Sequence, residues 1–172
     1  ILELETAPAP ITLIRPPSVT PKFQQPYQQI HPQELNRQRV GIMKPELAIL
    51  DHPIIGGKLT VCVLCYGPHT ALAQRCLSSL LLSLPSDRID LRIGANDVAP
   101  TTLEYLQSLP VTKIYSEGGN RYKYPRMREM FWDDACPIDT NYVVWLDDDT
   151  WVMDPRWASR LCQTIVDHSL SG

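Results

Sequence analysis

The chain carries no surplus of positive charge. Its 16 Lys and Arg stand against 19 Asp and Glu, for a net charge of −3 and a pI near 5.8. That removes the basic footprint on which nucleic-acid binding depends. No apolar run approaches the roughly 18 residues of a membrane-spanning helix; the longest candidate, "CLSSLLLSL" at 76–84, is short and interrupted by serine. Neither G-x-x-x-x-G-K-[ST] nor G-x-G-x-x-G occurs, so an ATPase or a Rossmann dehydrogenase loses its main support. The histidines, His31, His52, His69 and His168, are scattered with no H-x-x-x-H pair. The five cysteines (62, 65, 76, 136 and 162) are odd in number and lack the spacing of a small disulfide scaffold. They read as reduced thiols in a cytoplasmic protein. Any hold on the membrane face would come from sequence before Ile1 or after Gly172. The first residue is Ile rather than Met, which reads as a processed product or a piece of something longer. No internal repeat is present.

What remains is a composition 44% hydrophobic and 20% charged over 172 residues, enough for one domain with a core and an attached arm. Residues 1–57 form the arm or linker. "TAPAPITLIRPPSVTPKFQQPYQQIHPQELNRQ" is rich in proline and glutamine and has no apolar period. Proline removes amide donors and disfavours helix in the residue before it, so the segment is expected to be extended and open to a protein partner. "PELAIL" is the one short helix expected there.

From residue 58 the pattern alternates. "KLTVCVLCYG" is an apolar, β-rich run that ends in glycine and reads as a buried strand. "HTALAQRCLSSLLLSL" spaces Ala73, Cys76, Leu77, Leu80, Leu81 and Leu84 three and four apart, an amphipathic helix. "DLRIGAND" is a second strand, "APTTLEYLQSLP" a short helix with threonines to cap it, and "VTKIYSEGG" a third strand. "NRYKYPRMREMFWDDA" turns helical after Pro125, and "NYVVWL" is a fourth strand. "DPRWASRLCQTIVDHSL" is a last helix with Asp154 as N-cap and Pro155 at its first position. Strands alternating with helices predict an α/β fold, an open and mostly parallel sheet with helices on its faces.

Such sheets bind ligands at the carboxyl ends of their strands. Three groups fall there: Tyr66 with Gly67, Asn96 with Asp97, and the triplet Asp147, Asp148 and Asp149. Adjacent carboxylates repel and need solvent or a counter-ion. An isolated triplet is more often a solvated turn, but one that ends a buried strand on a ligand-binding rim points to a ligand. On extended backbone Asp147 and Asp149 face one side and Asp148 the other. The first and third suit a metal–diphosphate site, since Mg²⁺ and Mn²⁺ take one or two carboxylates and complete their shells with phosphate oxygens. The middle one is left for structure or a ribose.

"LTVCVLCYGPHTALAQRCLSSLL" and "NYVVWLDDDTWVMDPRWASRL" together resemble family 2 glycosyltransferases: the first their opening strand and helix, the second their metal-binding strand, DXD motif and following helix. The resemblance covers about residues 58–172. It implies a GT-A, Rossmann-like fold and hexosyltransferase-type, metal-dependent transfer of a sugar from a nucleotide diphosphate sugar, UDP-sugar first, to an acceptor. It makes Asp149 the main metal ligand, with Asp147 reaching the metal through water or the ribose. Tyr66 and Gly67 would border the base, and Asn96 or Asp97 would bind base or ribose. Arg126 is the best match to the family's basic residue near the diphosphate, with Arg121 and Lys123 as alternatives. The family's paired acids after the second strand are replaced here by Ala95 and Asn96, and "YGPH" replaces its usual Thr-Tyr-Asn type ending. In this family the acceptor half, which carries the catalytic base, comes later in the chain, so by this resemblance residues 58–172 read as the donor half of an incomplete domain and no base is assigned.

Two rival readings are a sugar-phosphate nucleotidyltransferase, whose Gly-rich basic loop is missing, and a degenerate domain used for assembly. Cys62 and Cys65 form a C-x-x-C within a strand, where they face opposite sides, so buried structural thiols are expected rather than a redox pair. His69 reads as a helix-start residue, the tryptophans as packing, and Asp167 with His168 as a solvated face. "RYKYPRMR" is better explained by a diphosphate than by single-stranded nucleic acid.

Overall fold

A computed structural model describes residues 44–168 of the chain, so the arm up to residue 43 lies outside the described residues. The elements are a 3-10 helix (Lys44–Asp51), β1 (Leu59–Tyr66), α1 (Thr70–Ser83), a 3-10 turn (Ser86–Arg88), β2 (Ile89–Asn96), α2 (Pro100–Gln107), β3 (Lys113–Tyr115), α3 (Lys123–Phe131), β4 (Val143–Asp147) and α4 (Trp157–Asp167). The four strands form one parallel sheet in the order β3-β2-β1-β4. This is the expected α/β architecture.

The period of two in β1 and β2 divides the protein. Val61, Val63 and Cys65 of β1, with Leu91, Ile93 and Ala95 of β2, pack into the main core. Against them α1 turns Ala73, Cys76, Leu77, Leu80 and Leu81, and α4 turns Ala158, Cys162 and Ile165. Each fully buried leucine there contributes about 1.5–3 kcal/mol. The opposite face is smaller: Cys62, Tyr115 and Met130 with Phe131 and Trp145 around them. Only a side chain of no size fits at Gly94, where a Cβ would lie 2.7 Å from Arg126 Cγ and 3.0 Å from Met130 Cε. Glycine lets α3 seat directly on β2.

Several boundaries differ from expectation. The packed unit begins before residue 58, because Leu50 and Ile55 are wholly buried in the main core. β4 is an edge strand and only partly covered, not a central buried one. α3 starts at Lys123, two residues before Pro125, which sits in the first turn where its missing N–H costs nothing. The threonines of α2 do not cap it; Thr102 Oγ1 lies 2.5 Å from Thr70 Oγ1 and ties α2 to α1. α4 begins at Trp157, so Pro155 precedes it. Asp154 instead accepts the Arg156 N–H at 2.9 Å and pairs with the guanidinium groups of Arg156 and Arg160. All five cysteines are free, with Cys62 and Cys65 on opposite faces. Burial pushes the Cys62 thiol up to about 12, so the C-x-x-C is a pair of packing groups. Among the described residues no helix is long and apolar enough to cross a membrane.

Candidate functional site

The chain leaves β1 toward β2 and β3 on one side, then returns to β4 on the other. The carboxyl ends of β1 and β4 therefore flank the point where strand order reverses. Open parallel sheets bind ligands outside the carboxyl ends of their strands at such a point, although here the helices that follow both strands, α1 and α4, pack on the same face. The aspartate triplet ends β4 at that position, and Tyr66–Gly67 end β1 beside it.

Backbone bonds stitch the strand ends together. The Asp148 N–H donates to Leu64 O at 3.0 Å, and the Tyr66 N–H donates to Asp148 Oδ2 at 3.1 Å. Gly67, at φ +64°, donates to Asn96 O and accepts from the Ala99 N–H, both at 3.3 Å. Its left-handed backbone is the reason a glycine ends the first strand. Asp97 adopts φ 56° and stays exposed, while Tyr66 leaves nearly half of its surface open.

β4 ends at Asp147, and Asp148 and Asp149 lie in the turn that follows, closed by the Thr150 N–H on Asp147 O at 3.0 Å, so the alternation expected of extended backbone does not continue through the triplet. Lys123 Nζ donates to Asp147 Oδ2 at 2.5 Å, and Trp145 Nε1 donates to Oδ1 at 3.3 Å. The lysine pKa is raised, first by its hydrogen bond to Asp147, with the charges of Asp147 and Asp149 adding to it. Asp149 is exposed. Asp148 turns the other way, toward β1, and is partly buried. Burial is the main cause of its raised pKa and Asp149 adds to it, while the Tyr66 amide and His69 act against it. Beside the triplet, the Arg75 guanidinium lies 3.3 Å from the centre of the Trp151 ring, a contact that the sequence pattern alone does not show.

The three candidate cations separate. Lys123 alone among them bonds to the triplet. Arg126 is buried, contrary to its expected place at the diphosphate. Its guanidinium donates to Glu129 Oε2 at 2.5 Å, Glu117 O at 2.8 Å and Gly119 O at 3.1 Å, and its Nε is a buried donor without a partner. Arg121 lies 3.6 Å from Glu129 and lines, with Arg126, Lys113, Tyr115 and Trp132, a separate recess of about 440 Å³ along β3. The reason is the bare surface of Gly94: the Arg126 stem runs across it and is aimed under the 117–119 turn.

Asn96 also differs from expectation. It is buried and spends its amide on the next loop. Its Oδ1 accepts the Arg121 N–H at 2.6 Å, and its Nδ2 donates to Asn120 Oδ1 at 3.1 Å. Asn120 in turn accepts the Tyr122 N–H at 2.9 Å. Asn96 thus supports the rim from beneath, and Asn120, not singled out in the sequence, is its partner.

Among the described residues, no three His, Cys, Asp or Glu side chains converge to hold an ion by themselves. Asp147 and Asp149 fit a different arrangement, that of a hard cation held by one or two carboxylates and completed by phosphate oxygens and water. The chain's sequence matches no protein-family model and no curated protein.

Proposed function

We propose that the rim at the ends of β1 and β4 binds the diphosphate of a nucleotide sugar, UDP-sugar first, and that the chain is the donor-binding part of a GT-A-type glycosyltransferase. The observation that carries this reading is the triplet's place at the switch point, with Asp147 and Asp149 both acting on Lys123. Asp149 and Asp147 would hold Mg²⁺ or Mn²⁺, which supplies positive charge against a leaving diphosphate. Lys123, rather than Arg126, adds the protein's own cation there. Tyr66, exposed at the end of β1, offers a ring to the base, and Asp97 an exposed carboxylate to base or ribose. Asn96 holds the loop that carries Lys123. Asp148 fixes the β1–β4 junction through the Tyr66 amide.

The test is calorimetric titration of UDP with and without Mn²⁺, repeated on Asp149→Ala. Binding that needs the metal and falls at least about tenfold in the variant, a difference near 1.4 kcal/mol, is the expected result. Equal binding with and without the metal, or no binding by the folded chain, would remove the reading.

A further inference from the structure

We propose that Lys123 is the resident counter-ion of the Asp147–Asp149 pair, held on it by Asn96 through residues 120–122, and that a divalent cation binds there by displacing it. This rests on the metal–diphosphate reading of the triplet.

The lysine is placed, not merely nearby. Asn96 grips the Arg121 N–H and the Asn120 side chain from a buried position at the end of β2. Arg126, equally buried, grips the Glu117 and Gly119 carbonyls from below. The loop between β3 and α3 is thus tied at both ends. Tyr122 completes it at φ +59°, a conformation a non-glycine residue takes only where its surroundings impose it. The next residue is Lys123, the first of α3, and its Nζ falls on Asp147 Oδ2.

The pair is nonetheless open. The Lys123 and Asp147 side chains retain 45% and 40% of their surface, and exposed ion pairs of this kind are weak. An ion with twice the charge competes for the same oxygen. The released ammonium stays tethered next to the position a diphosphate would take, where it changes from competitor to partner. Lys123 therefore has opposite effects on the two ligands: it weakens the metal alone and strengthens the nucleotide.

The experiment uses the full chain and Lys123→Met. Free Mn²⁺ is titrated by electron paramagnetic resonance without nucleotide, and UDP is then titrated at saturating Mn²⁺. The expected result is Mn²⁺ binding at least about threefold tighter in the variant, within the span of a surface ion pair, together with weaker UDP binding. On the wild-type chain, acylation of Lys123 followed by peptide mass spectrometry should rise when Mn²⁺ is added, which needs no substitution. If the wild type binds Mn²⁺ and the variant binds it no tighter, or Lys123 labelling does not change, the displacement is overturned while the metal site stands. If neither protein binds Mn²⁺ without nucleotide, the displacement falls, and the metal–diphosphate reading stands or falls on whether UDP binding by the wild type needs Mn²⁺.

Discussion

Two of the aspartate–cation pairs on this sheet, Asp90 with Arg92 and Asp147 with Lys123, differ chiefly in burial. Arg92 Nε donates to Asp90 Oδ2 at 2.9 Å, with only 1% and 10% of the side chains exposed. The rest of the guanidinium donates to Met130 O at 3.0 Å, Cys136 O at 2.7 Å and Pro137 O at 2.8 Å, and Thr60 Oγ1 donates to the same Asp90 oxygen. The Lys123–Asp147 pair is shorter yet exposed. A buried guanidinium with every arm engaged pins the connection from α3 to β4 in place. An exposed ammonium with one bond can be exchanged. Chemistry of one kind becomes scaffold in one place and site in the other because water reaches only the second.

The strongest way to break this contrast is Arg92→Met. It leaves Asp90 buried without its cation and three carbonyls without donors, so a loss of about 3–5 kcal/mol is expected in urea denaturation. A loss no larger than that of the exposed pair would end the distinction. Asp148 is the intermediate case, partly buried and bonded to an amide rather than a cation. Because its pKa is raised in the folded state, the protonated form favours folding. That contribution is complete below the ordinary carboxylate range and is lost as pH rises through the raised value. Asp148→Asn keeps an oxygen for the Tyr66 N–H, so it should raise the melting temperature at pH 7 and leave it nearly unchanged at pH 3. An equal gain at both would show that charge is not the cause. The smallest effect is expected from Lys123→Met, with no measurable change in melting temperature. A clear fall would make the lysine part of the scaffold.

Much of the fold was legible because periodicity reports directly on burial. The three-and-four spacing of α1 names its share of the main core, and the separation of Cys62 from Cys65 follows from the alternation of a strand. The helix starts were less legible. Pro155 and Pro125 carry start signals, but a proline is tolerated at several positions of a first turn or just before it, so local chemistry leaves the register open. The expected arm took in Leu50 and Ile55, which pack in the main core, since a short 3-10 helix and the turn after it have no long apolar period to betray that they pack. In the site, the rim itself was legible, while the separate duties of Lys123, Arg126 and Asn96 were not. All three are polar residues near a strand end or helix start, and nothing in their spacing tells a buried clamp from an exposed contact.

The sequence by itself determined that strands and helices alternate, and that three acidic residues end the fourth strand. Side-chain period and the reach of neighbouring residues carry that information locally. Only the tertiary structure decided that β4 returns beside β1, so that the triplet lands at the switch point. It also decided that the empty surface of Gly94 draws Arg126 inward while Lys123 is left over Asp147. These outcomes depend on which strand lies against which and on the space one missing Cβ leaves, and both are set by packing between residues far apart in the chain.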